Sequence, residues 1–144
     1  MSLILDAYAV IALLKGEPAS TLVQELIEHG DCRLTTLGVA EIVDHLVRLV
    51  GVEEDQAVLD LAQLGLTNAD PLDPTTALRA GLLRARHYHR RTRAVSLADC
   101  VLAQSAADSS GTVVTSDPHL LDLCREERIE IIALPDTSGT VWSG

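Results

Sequence analysis

A chain of 144 residues with a hydrophobic fraction of 47% is long enough for one well-packed domain, but with two Tyr, one Trp and no Phe its core must be built from Leu, Val, Ile and Ala. The scarcity of rings argues against a base-stacking nucleic-acid platform, and a formal charge of −10 argues against a generic DNA-coating protein. Three scattered cysteines without CxxC spacing, no basic leader and no bilayer-length apolar run lead to the expectation of a reduced, cytoplasmic protein with no membrane partner.

SLIL (2–5) predicts a short buried strand ending at Asp6, and AYAVIALLKG (7–16) a helix stopped at Gly16. Pro18 opens a second helix, closed by Gly30. CRLTT (32–36) predicts a second strand, with Thr36 as cap of a helix over 37–51. Residues 53–65 predict another helix, with acids in its first turn as the dipole prefers, and LTNAD (66–70) a further short strand. An Asp cap and a Pro start predict one long helix over 73–91; Ser96 opens the next, over 97–111. TVVTS (112–116) reads as a buried strand, 117–128 as a helix, and IEIIAL (129–134) as the last strand, before an irregular tail pinned by Trp142. Strands alternating with helices, with no repeat or linker, predict a single α/β domain over 1–144, its mainly parallel sheet covered on both faces.

Four acids stand out, and each has an innocent reading. Asp6 and Asp117 follow strands and precede helices, where Asp is a good N-cap. Asp99 lies three residues after Ser96, which resembles a capping box. Glu41 lies mid-helix, with Asp44, His45 and Arg48 on its face, as on a solvated polar stripe. In open parallel sheets, however, ligands bind beyond the carboxyl ends of the strands. Asp6 and Asp117 both occupy such ends, and Asp99 lies at the edge of an element.

ILDAYAVIALLKGEP, AEIVDHL, SLADCVLAQSA and VVTSD, in this order and across essentially the whole chain, resemble the PIN-domain ribonucleases, in particular the VapC-type toxins of bacterial toxin–antitoxin pairs. The resemblance implies a three-layer α/β/α fold with a central sheet of about five strands. It implies that Asp6, Glu41, Asp99 and Asp117 form an acidic pocket that binds Mg²⁺, with Mn²⁺ as a substitute, and cleaves RNA to inhibit translation. Thr115 and Ser116 fall where the family places small hydroxyl residues, and Asp44 is a candidate outer group. The implied partners are an RNA substrate, a cognate VapB-type antitoxin and a second copy of the chain.

The physics of such a pocket is simple. Two carboxylates ~5 Å apart repel by roughly 3 kcal/mol at an effective dielectric near 20. Four together must take up protons or bind a cation. Hard oxygen donors suit Mg²⁺ or Mn²⁺, whose bound water can become a nucleophile.

Residues 84–93 hold Arg84, Arg86, Arg90, Arg91 and Arg93 and no acid. They are either a solvated helix end or a patch that positions RNA through its phosphates. His87 and His89, two apart on the predicted helix, do not share a face, so a zinc pair is not expected; His119 and Asp122 read as surface groups. Two other readings remain: a non-catalytic PIN-like binding module, and a haloacid-dehalogenase-like phosphatase. The latter wants a second Asp where Tyr8 stands.

Overall fold

Alternation along the strands sets the architecture. In β1 (Ser2–Leu5), Leu3 and Leu5 enter one apolar cluster and Ile4 enters the other. In β3 (Thr112–Thr115), Val114 and Val113 divide in the same way. Both faces of these strands are therefore covered, which is why they read as unbroken apolar runs. The computed structural model describes residues 2–66 and 69–144.

β1 pairs in parallel with β2 (Asp31–Arg33) on one side and with β3 on the other; β4 (Glu130–Ala133) extends the sheet beyond β3, giving the order β2-β1-β3-β4. The first layer holds α1 (Ala7–Lys15), α2 (Ser20–His29), α3 (Thr36–Asp44) and α4 (Glu54–Gln63), packed through Val10, Val23, Ile42 and Leu61. The second holds α5 (Pro74–His87), α6 (Leu97–Ser109) and α7 (Pro118–Glu126), packed through Leu83, Ala103 and Leu123. The result is the expected three-layer α/β/α arrangement. The chain leaves β1 toward β2 while β3 lies on its other side, so the carboxyl ends of β1 and β3 flank a topological switch point.

Several expected boundaries shift. The described residues form four strands, not about five. The strand expected over 66–70 includes Thr67 and Asn68, which lie outside the described residues; what is described is a parallel bridge between Thr35 and Asp70. β2 stops at Arg33, and Thr35 rather than Thr36 caps α3, its side chain accepting from the Gly38 amide at 2.9 Å. α3 continues into a π-helical segment, His45–Val50, before Gly51 turns left-handed at φ 85°.

The helix expected to run to 91 ends at His87. His89 and Arg93 then exchange backbone hydrogen bonds of 3.0 and 2.9 Å across a tight turn. The His89 ring holds this turn by accepting from the Arg91 and Thr92 amides. Local capping by a side chain outcompetes helix continuation here. Among the described residues no helix is long and apolar enough to cross a membrane.

Candidate active site

Three of the four acids are fixed by the helices they open. Asp6 has extended backbone and caps α1, its Oδ1 accepting from the Tyr8 amide at 3.0 Å. Asp117 caps α7, its Oδ1 accepting from the His119 amide at 2.9 Å. Asp99 completes a capping box: its Oδ2 accepts from the Ser96 amide at 2.9 Å, while its own amide donates to Ser96 Oγ at 3.0 Å. The innocent readings of these three are therefore realised. They do not compete with a site reading, because each capping bond also fixes where its carboxylate sits.

Thr115 joins two of these acids. It is fully buried; its Oγ1 donates to Asp6 Oδ2 at 2.7 Å and accepts from the Asp117 amide at 3.1 Å. Glu41 comes from the middle of α3, and among the described residues its carboxylate accepts no hydrogen bond.

Electrostatics connects all four. Burial pushes the Asp6 carboxyl up to about 6; the Thr115 and Tyr8 hydrogen bonds oppose this, and the charges of Asp99 and Asp117 add to it. Glu41 is exposed as a residue, yet partial desolvation and the charges of Asp6 and Asp99 push its carboxyl up to about 7. Asp99, half-buried, is raised above the ordinary range by desolvation and by Asp117, against its bonds to Ser96 and the pull of Arg84. Side chains from four distant segments thus share one field at the rim of the sheet.

The surrounding acids are neutralised and these four are not. Asp44, Asp122, Glu126 and Glu127 pair with Arg48, Arg125, Arg93 and Arg86. Among the described residues none of Asp6, Glu41, Asp99 and Asp117 makes a salt bridge. Nor do any three His, Cys, Asp or Glu side chains among them stand as a ready metal cage. The donor set nevertheless has the right chemistry for a hard divalent cation: carboxylate oxygens only, unneutralised, with a raised cost of ionisation.

The remaining candidates divide. Ser116 is half-buried and lines the cleft beside the acids. Asp44 is engaged away from them, in two bonds of 3.0 and 2.9 Å to Arg48 that hold its carboxyl below the ordinary range. Arg84 donates to the Val95 carbonyl at 2.9 Å, Arg86 reaches Glu127 at 3.4 Å, and Arg93 binds Glu126 at 2.9 Å and the His87 ring at 3.2 Å. Arg90 and Arg91 are exposed on the turn after α5 and, among the described residues, make no salt bridge. The His119 ring lies 3.3 Å from the Thr92 carbonyl and so ties this turn to the first turn of α7, beside Asp117. Asp122 accepts from the Trp142 indole at 3.0 Å, which pins the tail as expected.

Tyr8 was legible only as a departure from another family's pattern. It lies in the fields of Glu41, Asp6 and Asp99, which add to desolvation in raising its phenol above the ordinary value. Its ring packs edge-to-face on His45 at 5.7 Å. The available signal was its position, two residues past Asp6 in a chain with almost no rings.

A family model described as PIN domain matches residues 3–126. No curated protein matches the chain. Solved structures share the fold at low identity. One is VapBC2 from Rickettsia felis bound to a DNA fragment from their promoter: 15% identity, 92% of this chain and 98% of that chain covered, TM-score 0.65. FitAcB from Neisseria gonorrhoeae matches at 19% identity over 90% of this chain and 96% of that one, TM-score 0.65. DNA-bound VapBC from Salmonella typhimurium matches at 16% identity over 92% and 97%, TM-score 0.63.

Proposed function

The chain belongs to the PIN domain family, and from that premise we propose that it is a divalent-cation-dependent endoribonuclease, the toxin of a toxin–antitoxin pair that acts by cleaving RNA needed for translation. What supports this reading is that Asp6, Glu41, Asp99 and Asp117 act on one another's ionisation and, among the described residues, make no salt bridge, with Asp6 and Asp117 at the carboxyl ends of β1 and β3.

Asp6, Asp99, Asp117 and Glu41 are the residues that would hold Mg²⁺ or Mn²⁺. Bound there, the cation would polarise a phosphodiester, lower the pKa of a water and reverse the local charge against which RNA must approach. The chain's own part is positioning. Thr115 fixes Asp6 and the backbone of Asp117, and Ser96 fixes Asp99. Glu41, whose carboxylate accepts no hydrogen bond among the described residues, is the carboxylate best able to move with a substrate. Arg90 and Arg91, held beside α7 through Thr92 and His119, are placed to contact phosphates that flank the cleaved one.

An antitoxin partner of the VapB type is supported by the same acids. An inserted arginine would neutralise them bidentately, as nothing among the described residues does. A homodimer and a cytoplasmic setting complete the reading.

The test is cleavage of a panel of tRNA, rRNA and mRNA fragments with Mg²⁺, Mn²⁺ or chelator. Cation-dependent cutting at defined positions, abolished by chelator and by Asp117→Asn, is the expected result. Binding without cutting under all conditions would convert the reading to a non-catalytic module.

A further inference from the structure

We propose that the cleft walled by Tyr8 and His45 is a nucleobase subsite, which holds the base of a nucleotide next to the cleaved phosphate by stacking on the Tyr8 ring. The inference rests on the nuclease reading above and adds the element that engages the substrate's base.

The chain has three aromatic rings outside histidine. Two carry a guanidinium on the ring: Arg84 lies over Tyr88 at 4.3 Å, leaving it 47% exposed, and Arg125 over Trp142 at 5.3 Å. Tyr8 carries none, is 57% exposed and follows Asp6 by two residues. Its amide is bonded to Asp6 Oδ1, so the ring lies within one side-chain length of a carboxylate proposed to hold the cation.

The ring is also braced. His45 meets it at 5.7 Å with the planes 85° apart, which limits its rotation before any ligand arrives. His45 is one turn past Glu41 and begins the π-helical segment, a backbone irregularity frequent at functional sites. One helix therefore presents both an acid and the brace for the ring.

Between Tyr8 and the end of the sheet lies a cleft of about 200 Å³, floored by Ile11 and Ala12, with Ser116, Lys15, Glu17 and Asp136 in its polar lining. It is smaller than the pockets that enclose drug-sized ligands. It suits one planar base better than a stretch of peptide, and the Ser116 hydroxyl supplies a polar contact to a base edge, while Lys15 is paired with Glu17 at 3.3 Å. Stacking of this kind tolerates all four bases, because every base has a π-face.

The test uses RNA oligonucleotides with one 2-aminopurine, whose fluorescence falls on stacking, titrated onto the Asp117→Asn chain in Mg²⁺. Quenching is expected at one position beside the cut mapped with the wild type. It should persist in Tyr8→Phe and vanish in Tyr8→Ala, each made in the Asp117→Asn background. In cleavage assays Tyr8→Ala should raise KM about 5- to 100-fold, with kcat less affected. Thermal melts check that the exposed substitution leaves the fold intact.

Equal quenching with and without the ring, or no quenching at any position, overturns the subsite. So does an unchanged KM in Tyr8→Ala. A wild type that cuts no RNA overturns the nuclease reading instead, and the quenching result still decides whether the cleft takes a base.

Discussion

Thr115 donates its hydroxyl to Asp6 Oδ2 at 2.7 Å, joining residues 109 positions apart in the chain, and the same oxygen accepts the Asp117 amide at 3.1 Å. One buried hydroxyl thus sets the relation between the acids at the ends of β1 and β3. Thr115→Val keeps the shape and removes the bond. It should lower Mn²⁺ affinity and the cleavage rate by roughly 10- to 100-fold, and stability by about 1–3 kcal/mol. Thr115→Ser should restore both. Calorimetric titration with Mn²⁺ and chemical denaturation measure the two effects.

The cap and the charge of Asp117 can be separated. Asn caps a helix about as well as Asp, so Asp117→Asn should leave stability unchanged or slightly raised while removing activity. Asp117→Ala should lose activity and about 1 kcal/mol of stability as well. Full cation-dependent cleavage by Asp117→Asn would leave that residue a cap and nothing more.

Burial and neighbouring charge hold Asp6 at about 6 against 3.8, and Glu41 at about 7 against 4.5. Between these limits the folded chain keeps protons that the unfolded chain has released. Stability from these groups is therefore present at low pH and is lost as pH rises through roughly 4 to 7. For Asp6 the loss is about 3 kcal/mol once both states are ionised. The paired acids with lowered values, such as Asp44 and Glu126, act in the opposite sense at lower pH. Comparing wild type with Asp6→Asn isolates the site. In chelator the variant should be the more stable at about pH 8, with the gap closing toward about pH 4, and a divalent cation should raise the wild-type Tm more than the variant's. A gap that ignores pH would show that Asp6 is not held up by its surroundings.

Arg90 and Arg91 should behave unlike Arg93. Replacing the exposed pair with Gln should weaken RNA binding across sequences and flatten its salt dependence by about one to two units of log–log slope, at constant stability. Arg93→Gln breaks contacts to Glu126 and His87, so it should cost stability first. Filter binding across a salt series, beside thermal melts, distinguishes the two outcomes.

Much of the fold was legible because it is local. Apolar strands buried on both faces, Asp-Pro helix starts and a Ser96–Asp99 capping box each declare themselves within a few residues. The errors fell where local signals balance. Residues 88–93 carry no helix breaker, yet the His89 ring captures two amides and turns the chain. The basic cluster looked uniform in sequence, but folding engages Arg84, Arg86 and Arg93 with the protein and leaves Arg90 and Arg91 to solvent.

The sequence by itself determined which residues could be caps and that a parallel sheet would carry Asp6 and Asp117 to one rim, because a cap needs only its own helix and parallel strands end on the same side. It could not determine that Thr115 would bridge those two acids, or that Tyr8 would stand braced by His45 at the edge of the site. Those outcomes depend on distances between segments far apart in the chain, and only the packing of the elements on the sheet sets them.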